Sequence, residues 1–425
     1  MLILLGTFLA LMVVGFPVAI AMLIASVVYI AGAPGIGLNV VPQQLIDSIN
    51  SFPLIAVPLF IFAGALMGEA GVTERLVVLS RALIGHIRAG LAHALVVAGM
   101  ILAGISGSGT ADAAALGSVM IPAMKDEKYD VAFAVALSAC AGAIGPIIPP
   151  SILLIIYGAM GNVSIGRLFL AGAIPGVLMG VFLMVTSHIV ARRHGYGAPS
   201  PRPRLVDQAR ALVAGSLDLL LPVTIIGGIV GGIFTPSEAG AIAVAYVLLI
   251  GIFVYRTLTP ERLLRACRNS VSVLGSTMLL IATAGIAQYL LALLQAADLV
   301  GAFFLAISAN AIVFLLLVNV LLLILGCVME VTAILVLMTP ILVPILPKFG
   351  VDPVHFGVVM ALNLAIGLLT PPVGLAMYVT CAIGKVSIEQ YARACWPFLV
   401  ALALLLLAVI MVPNLVLFLP RVFMG

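Results

Sequence analysis

Apolar runs of about twenty residues follow one another along almost the whole of this 425-residue chain, and that pattern decides what it can fold into. Backbone in hydrocarbon must satisfy its own N–H and C=O groups, so runs of this length mean membrane-spanning helices. Composition agrees: 64% of the residues are hydrophobic and 8% charged, whereas about a quarter of a soluble chain is charged. Water-soluble enzymes and nucleic-acid binders are thereby excluded, and an all-α polytopic membrane protein is expected. The first run, from Leu2 to Ala31, has no basic segment before it and is too long for a signal peptide core, so it reads as a retained span. Cys140, Cys267, Cys327, Cys381 and Cys395 form no C-x-x-C pair and read as small buried residues, not metal ligands or a disulfide. The histidines do not cluster. Neither G-x-x-x-x-G-K-[ST] nor H-E-x-x-H occurs, so no ATP hydrolysis, no metalloprotease chemistry and no catalytic residues are expected.

The chain repeats itself. An offset of 222 positions aligns Gly104 with Gly326, Thr110-Ala111 with Thr332-Ala333, Pro122 with Pro344 and Asp130 with Asp352. The same offset lays Ala143-Ile144-Gly145 on Ala365-Ile366-Gly367 and Pro149-Pro150 on Pro371-Pro372. Glycine and alanine matches are common in such a composition; three prolines in register are not.

Spans are expected near 2–31, 52–70, 166–191, 211–233, 236–255, 270–295 and 396–419. Residues 90–125 are apolar but interrupted at Ser106–Thr110, and each arm reaches only about 24 Å at helical rise, marginal for a full crossing. They read as a re-entrant hairpin, as do residues 310–347. Residues 130–160 and 353–383 read as helices broken at their double prolines. The stretch 192–210, with Pro199, Pro201 and Pro203, marks the boundary between halves. The expected organisation is a first repeat over 1–191, a linker and extra span over 192–235 that inverts the second copy, and a second repeat over 236–425. On this path only Arg167, Lys348 and Arg421 of the 19 Lys and Arg fall on the side opposite the N-terminus. The positive-inside rule then makes the N-terminal side cytoplasmic and the C-terminus periplasmic. Residues 72–87 and 256–269 have the mixed basic and apolar pattern of helices lying at the membrane surface, or of solvated loops.

Irregular backbone at membrane depth is tolerated only inside protein or along a cavity, and its occurrence in symmetry-related pairs points to a midplane site in a secondary transporter. Pro149 and Pro150 have no N–H, so the carbonyls of Gly145 and Pro146 lose their helical partners; Pro371 and Pro372 do the same for Gly367 and Leu368. Free carbonyls beside the hydroxyls of Ser151 and Thr370 make an oxygen cage suited to a hard cation, with sodium the natural candidate. At the first tip, Ser106, Ser108 and Thr110 bring hydroxyls, and the helix beginning near Gly109 directs free N–H groups inward, favouring a carboxylate. Asp112 in its first turn is either a capping partner or a ligand. The second tip carries Glu330, an intramembrane acid, and Thr332. Candidate substrate contacts are Ser106, Ser108, Gly109, Thr110, Asp112, Ser151, Glu330 and Thr332. Asn319 and Asn363 read as partners in helix–helix hydrogen bonds.

The strings SGSGTADAAALGSVMIPAM (106–124), AIGPIIPPS (143–151) and AIGLLTPPVG (365–374), with the inverted repeat, resemble the large membrane (M) subunit of the TRAP transporters over essentially the whole chain. The resemblance implies a sodium-driven secondary importer of the bacterial inner membrane, with a fold like the divalent-anion/sodium symporters and an elevator mechanism. It implies two or more coupling sodium ions and no organic cofactor. The implied sodium ligands are Ser106, Ser108 and Asp112 with Gly145, Ile148 and Ser151, and Gly326 and Cys327 with Gly367, Thr370 and Val373. Implied partners are a small four-helix membrane subunit and a periplasmic substrate-binding protein, each on its own polypeptide, with an organic acid as substrate and the lipid bilayer as surroundings; no nucleic acid is involved. A stand-alone symporter or antiporter of the same fold, and a channel or structural subunit, are the alternatives; no repeated pore loop of a four-fold channel occurs.

Overall fold

Apolar sequence with few breakers folds as helices, and the breaks fall where proline, glycine or a capping side chain ends the ladder. A computed structural model describes residues 1–197 and 204–425, and every regular element among them is helical. Pro199, Pro201 and Pro203, the centre of the expected boundary, lie outside the described residues.

The first expected span is corrected. Helix α1 (Leu2–Val14) stops at Gly15, whose φ of 94° no L-residue adopts readily, and Pro17 precedes α2 (Val18–Gly32). The two helices pack against each other. An unexpected α3 (Val40–Ile49) follows, then α4 (Ala56–Ala70), which with the preceding 3-10 turn Phe52–Ile55 matches the expected 52–70. Helix α5 (Val72–Ile84) buries Val72, Leu76 and Leu79, one face at helical spacing, against the bundle.

Next come α6 (Gly90–Ser106) and α7 (Gly109–Asp126), α8 (Val131–Gly142) and α9 (Ile152–Gly161), and α10 (Ile165–His194). The later chain supplies α11 (Leu205–Val230), α12 (Pro236–Leu249), α13 (Pro260–Leu293), α14 (Ala296–Ile307), α15 (Ala311–Gly326), α16 (Val331–Leu342), α17 (Pro353–Gly367), α18 (Leu375–Gly384), α19 (Ile388–Met411) and α20 (Asn414–Met424). Three boundaries differ from expectation. Residues from Pro260 are the first turns of the 34-residue α13 and not a separate surface helix, because Thr259 caps the helix and nothing between 260 and 270 breaks it. Helix α14 is new and lies 117° from α15. The last expected helix divides at Val412-Pro413 into α19 and α20. Among the described residues, seven helices are long and apolar enough to cross a membrane, or eight if α14 and α15 form one span.

The centre of the molecule is α8 and α17, whose side chains are almost all buried. Lipid gives helices no hydrophobic reason to associate, so close packing of small residues must do it, and α8 is largely Ala, Ser, Cys and Gly. Asp130 caps α8 through the Phe133 N–H at 2.9 Å, and Asp352 caps α17 through the Val354 N–H at 2.7 Å. Helix α7 packs on α8 and α18, while α16 packs on α9, so each tip pair also touches the broken helix of the other half. A buried acid passed over in the sequence, Asp218 of α11, accepts from the Tyr255 hydroxyl at 2.8 Å, and Arg75 of α5 lies 3.5 Å from the Tyr255 ring centre. That cluster ties α5 and α11 to Tyr255, which follows the π-helical turn Ile250–Val254 after α12. The five cysteines are free; Cys140, Cys381 and Cys395 are buried as expected, while Cys267 and Cys327 are only half-buried.

Candidate functional site

The first tip is two residues long. Gly107, at φ 63°, ends α6, and extended Ser108 starts α7. Only glycine fits here: the position is left-handed, and a Cβ on it would overlap the Pro150 carbonyl. The tip therefore sits directly on the break between α8 and α9. Its polar groups are organised inward, with the Ser108 N–H donating to Ser106 Oγ at 3.2 Å and the Ser106 hydroxyl donating to Asp112 Oδ1.

Asp112 is 2% exposed, and its second oxygen, Oδ2, has no hydrogen-bond partner among the described residues. A Cβ built on Gly145 would lie 2.6 Å from that oxygen, so the free carboxylate oxygen faces the break. The Gly145 carbonyl accepts no hydrogen bond among the described residues. Asp112 is thus not a helix cap. The sequence expectation for Pro146 is corrected: its carbonyl accepts the Ser151 hydroxyl, while Ser151 Oγ caps α9 by accepting from the Leu154 N–H at 3.2 Å. Ser106, Ser108, Asp112, Gly145 and Ser151 converge on this junction. Ile148 packs against Gly176 of α10.

The second junction is built differently. Gly326, ending α15, meets Gly367 so closely that a Cβ on either would be 3.3 Å from the other's Cα. One and two turns away on the same faces, the Asn363 amide donates to the Asn319 backbone carbonyl at 2.9 Å and side-chain oxygen at 2.8 Å, the helix–helix bonds expected of these residues. The carbonyls freed by Pro371 and Pro372 find other donors: Thr370 N–H to Gly367 at 3.2 Å and Met377 N–H to Leu368 at 3.4 Å. The Thr370 hydroxyl returns to the Ile366 carbonyl at 2.8 Å, and the Cys327 N–H is shared between the Leu323 and Ile324 carbonyls. Gly326 and Gly367 thus form the junction, with Cys327 and Thr370 beside it along the chain and Val373 just after the double proline, and the Gly326 and Cys327 carbonyls accept no hydrogen bond among the described residues. The Pro149–Pro150 and Pro371–Pro372 peptide bonds are both cis.

Between the two tips lies a cavity of about 590 Å³. Ser108, Gly109 and Thr110 line it from the first tip, and Glu330 and Thr332 from the second. Glu330 caps α16, accepting from the Ala333 N–H at 3.0 Å and the Thr332 hydroxyl at 2.8 Å, and it is the only ionisable side chain on this lining. Ser276 and Thr277 of α13 complete the polar wall, and the sequence reading missed them. The sequence signal was weak: both are hydroxyls in an apolar run, where such side chains usually bond back to their own helix. A second cavity of about 280 Å³ runs from Ser106 and Asp112 past Ser270 and Asn269 to Glu69. There Glu69 pairs with Arg265 at 3.7 Å, joining α4 to α13.

Many apolar helices, with broken backbone gathered around an internal cavity that takes polar groups from both tips, define a multi-pass membrane transporter. The chain belongs to the family of the tripartite ATP-independent periplasmic transporter DctM component, whose model matches residues 5–415. It is 40% identical to the sialic acid TRAP transporter large permease protein SiaM of Vibrio cholerae, over 98% of this chain and 97% of that one. It is 38% identical to the C4-dicarboxylate TRAP transporter large permease protein DctM of Pseudomonas aeruginosa, over 89% and 88%. These relatives are permease subunits, and the chain is a transporter subunit, not an enzyme. Its fold is shared with the YdaH transporter of Alcanivorax borkumensis, at a TM-score of 0.63 and 13% identity over 92% of this chain and 95% of that one.

Proposed function

We propose that the chain is the large permease of a sodium-coupled importer that receives an organic acid from a periplasmic substrate-binding protein. It works in the inner membrane with a small four-helix membrane subunit, its N-terminus cytoplasmic and its C-terminus periplasmic. One observation carries the coupling: a fully buried carboxylate oxygen, Asp112 Oδ2, left without a partner and facing Gly145 at the α8–α9 break, beside Ser106. An unpaired buried charge is costly unless something compensates it. An all-oxygen set of carboxylate, hydroxyl and carbonyl fits a hard monovalent cation far better than a transition metal. Bound sodium would supply the missing positive charge; Ser106 and Ser108 would hold the tip against the break, and Ser151 would keep the break open by engaging Pro146. The second junction, with Gly326, Cys327, Gly367, Thr370 and Val373, is the second proposed sodium site, built mainly of backbone carbonyls.

The substrate cavity lies between the tips. Free N–H groups at the start of α7 suit a carboxylate, with Ser108, Gly109 and Thr110 as its nearest contacts. The opposite wall offers Glu330, Thr332, Ser276 and Thr277, which suit hydroxyl or amino groups. The reading is therefore a hydroxylated or amino-bearing organic acid. Pairing of re-entrant tips with broken helices supports an elevator in which these four elements move together past α2, α4 and α13, whose residues form the other wall. Reconstitution with the small subunit and binding protein encoded beside this chain tests the reading. Uptake is expected only under an inward sodium gradient and only with all three proteins; sodium-indifferent uptake removes the coupling, and uptake by this chain alone removes the partners.

A further inference from the structure

Away from both junctions lies a cleft of about 900 Å³ between the C-terminal ends of α7, α10 and α18 and the first turns of α8 and α19. Five cation-forming side chains from four separate stretches of chain line it: Lys125, Arg193, His194, Lys385 and Arg393. Asp130 is the only acid on the lining, and one of its oxygens is engaged in capping α8. Arg393 is paired with Glu389 at 2.6 Å, whereas Lys125, Arg193 and Lys385 have no ion-pair partner among the described residues. Lys385 is moreover held at φ 55°, the left-handed position that usually takes glycine or asparagine after a helix.

Basic residues near helix C-termini answer the helix dipole, and that accounts for each cation singly. It does not account for their convergence on one concave space, nor for its floor. Beneath the charges the lining is apolar, including Ile121, Phe133, Val190 and Ile383. A soluble anion gains nothing from such a floor, whereas an amphiphile satisfies both parts. On the proposed path through the bilayer, Lys125, Arg193, Lys385 and Arg393 all fall on the cytoplasmic side, where a headgroup layer would meet the cleft.

We infer that this cleft binds the phosphorylated headgroup of an anionic phospholipid, with Arg193 and Lys385 as its principal contacts and an acyl chain along the apolar floor. The site is separate from the tip junctions and the cavity between them. It gives this permease a preference for anionic over zwitterionic lipid.

The test is native mass spectrometry of the full-length purified chain titrated with phosphatidylglycerol and, separately, phosphatidylethanolamine. Wild-type protein is expected to retain phosphatidylglycerol preferentially. The double variant Arg193→Gln/Lys385→Gln should bind it about thirtyfold more weakly, the loss expected on removing two cations beside an anionic headgroup. Arg193→Lys/Lys385→Arg, which keeps both charges, should retain it. Arg268→Gln, an exposed cation outside the cleft, should behave as wild type. Equal binding of the two lipids by wild-type protein, or undiminished binding by a folded Gln variant, overturns the inference. Competition by millimolar inorganic phosphate with no lipid preference overturns the lipid assignment and makes the cleft a site for soluble phosphate.

Discussion

Asp112 is the residue on which the coupling reading turns, because its two oxygens have different fates: Oδ1 is satisfied by Ser106 and Oδ2 is not. Asp112→Asn keeps the shape and removes the charge. The expected result is insertion at wild-type level and apparent sodium affinity in proteoliposome uptake weakened tenfold or more, about 1.4 kcal/mol. Gly145→Ala keeps the charge but puts a methyl group 2.6 Å from Oδ2, and should weaken sodium dependence in the same direction. A normal sodium titration in both variants would reduce Asp112 to a buried structural acid. The tip residues were legible in the sequence because glycine and hydroxyls stand out in an apolar stretch. Ser276 and Thr277 were not, since a hydroxyl in a long helix usually bonds back to its own carbonyls, as both do here to Val273 at 2.8 and 2.9 Å. Glu330 was legible as an intramembrane acid, but not as the cap of α16; that depends on where the helix starts, the feature sequence fixes least well.

At the scale of elements, proline made the breaks visible and neighbours decided what filled them. The double prolines located both interruptions, yet three of the four carbonyls they freed found new donors, Pro146 from Ser151, Gly367 from Thr370 and Leu368 from Met377. Such replacements depend on how the chain re-enters after the break, which no local signal records. The α1–α2 division had its signals in Gly15 and Pro17, hidden by the unbroken hydropathy around them. The two junctions also differ in kind, one held by side-chain polar groups and the other by glycine on glycine. Gly326→Val therefore tests the second as an element contact. Overpacking of a tight contact costs about 1–3 kcal/mol, so the variant should melt at a lower temperature and transport poorly, while the distant Ser106–Asp112 pair stays intact. Unchanged melting and uptake would mean that α15 does not have to seat closely on α17.

For the whole molecule, the open choice is the path of the chain through the bilayer, and helix length and charge bear on it together. Helices α6 and α7 have 17 and 18 residues, or about 25–27 Å each at helical rise, short of a hydrocarbon core about 30 Å thick. If the pair enters and leaves on one side, Arg88 before it and Lys128 after it face the same compartment; that is also what gathers the basic residues at one end. Two full crossings would keep those residues together as well, so the decisive position is the tip. In a cysteine-free background, Arg88→Cys and Lys128→Cys should react with an impermeant maleimide only after the membrane is opened from the cytoplasmic side. Lys348→Cys, which removes the cation paired with Asp298 at 2.7 Å, should react in intact cells. A cysteine replacing Gly109 should be protected from the impermeant reagent on the periplasmic side in the state described here, because the tip is seated on the α8–α9 break. Ready labelling of that position in intact cells, with Arg88→Cys and Lys128→Cys still protected, would make α6 and α7 full crossings and undo the re-entrant reading.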